Sequence, residues 1–183
     1  MEMSKALIII DVQKAFQDPK WGKRNNPDAE SKINNLLLEW RKRKLEVIFI
    51  KHLSTNPYSV FYHKNESSQI NDLLYPLPTE TIFTKEVNSS FIGTSLEDYL
   101  HQLKINELVL TGLTTPHCVS TTARMSGNLG FTTYLLSDAT SAFDLTDHLG
   151  NRIDAQTVHD VSLATIHNEF ATVITTEDYI KLL

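Results

Sequence analysis

The chain has 183 residues, 41% apolar and 21% charged, with a formal net charge of -5. That length and composition fit one globular domain spanning 1–183. They leave no basic footprint for nucleic acid, and no apolar run approaches the roughly 18 residues of a membrane span. A single cysteine, Cys118, excludes an internal disulfide and points to a reducing, cytoplasmic compartment.

The first predicted strand is Ala6–Ile10, apolar throughout and ended by Asp11. It is too short for the apolar region of a signal peptide, so no targeting segment is expected. Trp21 follows in a loop, and Pro27 opens a helix whose apolar residues Ala29, Ile33, Leu36, Leu37 and Trp40 recur at three- and four-residue spacing. Glu46–Lys51 is the second strand. Leu53–Pro78 is polar and irregular, an excursion expected to cover one end of the sheet. Strand three is Thr81–Thr84, with Lys85 at its end. A helix over Ser95–Leu103 leads to strand four, Glu107–Thr111, and then to a turn carrying Cys118. A helix over His117–Asn128, a strand Thr132–Leu136, a helix Ala155–Asn168 and a strand Thr172–Thr175 complete the chain.

Continuous apolar strands alternating with amphipathic helices predict an α/β fold. It is a three-layer, doubly wound fold with a mostly parallel sheet of about six strands. In such sheets the functional crevice lies beyond the carboxyl ends of the strands. Asp11, Lys85 and Cys118 all fall at such ends. Together they make chemical sense. A carboxylate accepts the thiol proton, an ammonium favours the thiolate, and backbone N–H groups stabilise an oxyanion. A thiol at a helix start is also expected to be biased toward thiolate.

The motifs Ile10-Asp11-Val12-Gln13-Lys14-Ala15-Phe16, Lys85 in Thr84-Lys85-Glu86-Val87-Asn88, and Thr111-Gly112-Leu113-Thr114-Thr115-Pro116-His117-Cys118-Val119 occur in this order. So do Thr122-Ala123-Arg124 and Ser137-Asp138-Ala139. Over almost its whole length the chain resembles the isochorismatase-like cysteine hydrolases, the family of nicotinamidases and N-carbamoylsarcosine amidohydrolases. The resemblance implies Asp11 as general base, Lys85 as orienting and polarising group, and Cys118 as nucleophile. It implies a cis peptide joining Leu113 and Thr114, with the N–H groups of Thr114 and Cys118 directed at the oxyanion. It also implies a small amide or ureido substrate and a homo-oligomer. Nicotinamidases place an Asp-x-His metal pair after strand two. Here His52 and Ser54 stand at those places, and His52 with a distant His63 is a poor zinc site. No metal or other cofactor is therefore expected, and His52 joins Phe16 and Trp21 as a substrate-binding candidate. Phe91 is assigned to the core.

Two rival readings remain. Cys118-x5-Arg124 fits the spacing of a cysteine phosphatase loop, in which an arginine clamps phosphate. Thr121 and Met125 depart from that signature, so Arg124 is read as structural. The other rival is a non-catalytic small-molecule-binding relative. Asp138 is read as a turn carboxylate ending strand five, and His101, His148, His159 and His167 as solvated.

Overall fold

The computed structural model describes residues 4–183. The first strand, β1 (Lys5–Ile10), is followed by helix α1 (Ala29–Lys42), β2 (Glu46–His52), β3 (Thr81–Lys85) and α2 (Leu96–Gln102). Then come β4 (Glu107–Leu113), a π-helical turn (Thr115–Val119), α3 (Ser120–Asn128) and β5 (Thr132–Ser141). A short antiparallel pair, β6 (Leu145–Thr146) and β7 (Arg152–Ile153), precedes α4 (Ala155–Ala164), β8 (Thr172–Ile174) and α5 (Thr176–Ile180).

Six strands form one sheet in the order β3-β2-β1-β4-β5-β8. Every pairing in it is parallel. Alternate residues of β1 feed two cores, as the period-two geometry of a strand requires. Ala6, Ile8 and Ile10 pack with Leu96, Leu100, Val119, Ala123 and Leu163 from α2, the π-turn, α3 and α4. Leu7 and Ile9 pack with Ile33, Leu36, Leu37 and Trp40 of α1 and Tyr179 of α5. Both faces of the sheet are therefore covered, which explains why Leu7-Ile8-Ile9-Ile10 carries no polar residue. Phe91 lies in the first core, stacked on Phe131 at 6.0 Å.

Among the elements that run differently from the sequence expectation are β5 and α4. β5 continues beyond Leu136 to Ser141, through a bulge where its register against β4 shifts between Leu110 and Gly112. Asp138 consequently lies within the strand, accepting from the N–H and Oγ1 of Thr176 at 2.7 Å each and pairing with Lys32 at 3.1 Å. The last long helix stops at Ala164 rather than Asn168. Among the described residues, no helix is long and apolar enough to cross a membrane.

Candidate active site

The chain winds from β1 outward through β2 to β3, then returns to β4 on the other side of β1. That reversal makes the β1/β4 boundary the topological switch point, where α/β sheets open a crevice. Asp11 follows the last residue of β1, and Leu113-Thr114 leaves β4 beside it. Asp11 turns the chain out of the strand in the left-handed region, at φ 52°, which aspartate tolerates better than most residues. Its N–H still donates to Ile50 O at 3.0 Å, which fixes it to β2. Opposite, Gly112 pairs with Ile10 at φ 125°. A Cβ there would lie 2.0 Å from Ile10 O, so only glycine lets the two strands approach beside the site. The peptide bond between Leu113 and Thr114 is cis. The Thr114 N–H donates to no protein acceptor among the described residues.

Lys85 ends β3 opposite His52 of β2 and reaches across to Asp11. Its Nζ lies 2.6 Å from Asp11 Oδ2, with both side chains almost completely excluded from solvent (0% and 1%). A second approach, 3.3 Å, is to Nδ1 of His52. Asp11 Oδ1 is buried and has no hydrogen-bond partner. The Asp11 carboxylate, a His52 ring nitrogen and Cys118 Sγ all lie within 4.8 Å of one another. Asn88 Oδ1 approaches the thiol at 3.8 Å.

Burial, opposed by Lys85, raises the carboxyl group of Asp11 above the ordinary aspartate range. Burial, reinforced by the Asp11 carboxylate and opposed by Lys85, pushes the Cys118 thiol up to about 12. Both causes oppose the bias toward thiolate expected of a helix start, and the cysteine sits inside the π-turn, ahead of α3. A thiol beside a carboxylate with an uncommitted oxygen is an arrangement for transferring its proton as it reacts, not before. Burial, then Lys85, lowers His52 to about 4, so its imidazole is neutral.

Asp11, His52 and Cys118 are also the one described group that could offer three ligands to a metal ion. The Lys85 ammonium is already placed against two of them, Asp11 and His52, and a second cation would be repelled there. Ser54 and His63 contribute nothing to this cluster. His63 is exposed, with its ring against Ser54 O at 3.3 Å.

A cavity of about 480 Å³ opens over the thiol. One wall is aromatic: Phe16, Trp21, Phe61 and Phe143, with ring centroids 5.3–6.4 Å apart. The Trp21 indole N–H is tied to Ala15 O at 2.8 Å, which fixes the ring. The exposed Lys20 ammonium lies over that ring at 4.9 Å. Phe16, Trp21 and His52, the three substrate-binding candidates, all line this cavity, as do Thr114, His117 and Cys118.

Several contributors escaped sequence reasoning. Gln13, inside the first motif, is buried and clamps the end of β2. Its Oε1 accepts from His52 N at 2.8 Å, and its Nε2 donates to His52 O at 2.9 Å and Ser68 O at 2.7 Å. Phe61 and Phe143 come from irregular segments with no periodic signal. His159 is buried rather than solvated, 3% exposed, with Nδ1 2.9 Å from Thr115 Oγ1 at the start of the cysteine turn. It shares a stripe with Ala155, Val158 and Leu163, and that spacing was the available signal. Arg124 faces away from the thiol. Its guanidinium donates to Thr165 Oγ1 at 2.9 Å and lies over Phe170 at 4.9 Å, so Cys118-x5-Arg124 forms no phosphate clamp.

The chain is similar to known proteins in sequence and fold. The isochorismatase domain profile matches residues 5–178. The Bacillus subtilis isochorismatase family protein YrdC is 57% identical over 181 residues, covering 99% of this chain and 97% of its own. An isochorismatase-family crystal structure from Chromobacterium violaceum superposes with a TM-score of 0.95 at 40% identity, covering 97% of this chain and 92% of that one. Nicotinamidase 3 of Arabidopsis thaliana is 25% identical over 155 residues, 76% of this chain and 74% of its own. With the profile spanning nearly every described residue and the sheet, switch point and cysteine turn in place, this chain belongs to the isochorismatase family of hydrolases.

Proposed function

We propose that the protein hydrolyses a small amide or ureido C–N bond through a thioester on Cys118. The observation that carries this is the meeting of the Cys118 thiol with a buried carboxylate that has one unpartnered oxygen in one cavity, while the buried Lys85 ammonium is ion-paired to the other oxygen. In the first half-reaction Sγ attacks the carbonyl carbon while its proton passes to Asp11. The carbonyl oxygen becomes an oxyanion, met by the N–H groups of Thr114 and Cys118. The C–N bond then breaks as Asp11 returns the proton to the leaving nitrogen, releasing ammonia or an amine. In the second half-reaction Asp11 takes a proton from water, the hydroxide attacks the thioester, and the C–S bond breaks. The sulfur leaves with a proton and the acid departs. Lys85 stays protonated throughout, holding Asp11 in place and offsetting negative charge on the sulfur.

The cysteine supports an acyl-transfer reading over vinyl-ether hydrolysis, which needs no nucleophile. The amidase named among the relatives supports it too. The aromatic wall favours a planar or apolar substituent on the amide. A panel of primary amides, carbamoyl compounds and cyclic amides, scored by ammonia or amine release, tests the reading. At least one should turn over, and p-nitrophenyl phosphate should not. Vanadate-sensitive phosphate release, abolished by Arg124→Ala, would replace it with the phosphatase.

A further inference from the structure

We infer that His52 is a positioning residue whose neutral imidazole holds the Lys85 ammonium between Asp11 and Cys118, rather than a metal ligand or a substrate contact alone. The inference rests on the use of Lys85 proposed above. An ammonium has three N–H donors, and a fully buried one needs acceptors for them. Lys85 has no exposed side-chain surface. Asp11 Oδ2 takes one donor at 2.6 Å, and His52 Nδ1 stands 3.3 Å away, able to take a second. The ammonium also interacts with the Cys118 sulfur, favouring its ionisation.

His52 is held for this task by its backbone and by its ring. It pairs directly with Lys85 in the β2–β3 ladder. Gln13 accepts from the backbone N–H of His52 and donates to its backbone C=O. The ring meets Phe61 edge to face at 5.2 Å. Its neutrality suits it to accept from a cation; a carboxylate at this position would add a second negative charge beside the Asp11–Lys85 pair. Two roles follow from one contact. The imidazole keeps the ammonium from withdrawing wholly onto Asp11. It also keeps that positive charge within reach of the sulfur, where it opposes the effects of burial and of the carboxylate.

The test compares His52→Leu, which keeps the branched shape and loses the acceptor, with His52→Asn, whose Oδ1 occupies nearly the place of Nδ1. Cys118 is the only cysteine, so iodoacetamide alkylation followed by intact mass reports on that thiol alone. His52→Leu should alkylate about tenfold more slowly at pH 8, its pH profile displaced upward, and lose about tenfold in kcat with KM within twofold. His52→Asn should stay within about threefold of the wild type in both. If His52→Leu does not fold, as judged by circular dichroism and a cooperative melt, His52→Ala against His52→Asn carries the same comparison. Identical alkylation profiles for wild type and His52→Leu, or a His52→Asn as slow as His52→Leu, would overturn the inference. If no amide is hydrolysed, the alkylation result still decides it, and only the proposed reaction fails.

Discussion

Replacing Asp11 with asparagine should move hydrolysis and thiol reactivity in opposite directions. The Cys118 thiol is raised to about 12 by burial first and by the Asp11 carboxylate second, against the pull of Lys85. At pH 8 that direction leaves far fewer thiolates than the roughly one in four of an ordinary cysteine of pKa ~8.5. Asp11→Asn removes the carboxylate's charge and leaves the Lys85 ammonium uncompensated beside the sulfur. Each tenfold rise in thiolate corresponds to about 1.4 kcal/mol. Loss of one charge within 4.8 Å of the sulfur, even at an effective dielectric near 20, is worth at least that. Iodoacetamide should therefore alkylate Asp11→Asn about tenfold faster than wild type at pH 8. Its kcat should fall by about 10²-fold or more, because no group is left to take and return the proton. The assay is a time course of intact mass beside ammonia release. Slower alkylation in Asp11→Asn would mean that the carboxylate activates the ground-state thiol, and the account of a neutral resting thiol would be wrong.

Gly112→Ala should damage fold and site together. The new Cβ would meet Ile10 O at 2.0 Å in a left-handed backbone, costing about 3 kcal/mol or more. Differential scanning calorimetry should show Tm lowered by roughly 6–12 °C; an unchanged Tm would refute the close-approach argument. His52, His117 and His159 are all held below the ordinary histidine range by burial. Each binds fewer protons folded than unfolded, so stability is full above about pH 6.5 and falls as pH drops below it. Tm should decline between pH 7 and pH 5, and His159→Gln should flatten that decline; an equally steep slope in the variant would remove His159 from the account.

The central sheet was legible because its strands are covered on both faces. Ile8, Ile9 and Ile10 all sit in core, so the run could not alternate with polar residues. The triad candidates were legible because strand ends are fixed once strands are fixed. The far half of β5 was not. Ser137 to Ser141 is polar but for Ala139, and its backbone is held by tertiary partners: Asn26 Nδ2 donates to the Ser137 and Thr140 carbonyls at 2.9 and 2.8 Å, and just beyond it Asn25 Oδ1 accepts from Ala142 N at 2.7 Å. Helix α5 is five residues long, too short for a helical period to show. Phe61 and Phe143 meet Phe16 and Trp21 only through the fold. Position in sequence reveals a helix start beside Cys118, but not the burial or the carboxylate that oppose ionisation of the sulfur.

The central claim is that Cys118 carries the acyl group of an amide substrate. Its most direct test is an acid-quenched reaction with an amide found active in the panel, followed by intact and peptide mass measurement. An adduct of the acyl mass should appear on Cys118 and be released by hydroxylamine, and Cys118→Ala should show neither adduct nor turnover. Ammonia release by Cys118→Ala at the wild-type rate would contradict it.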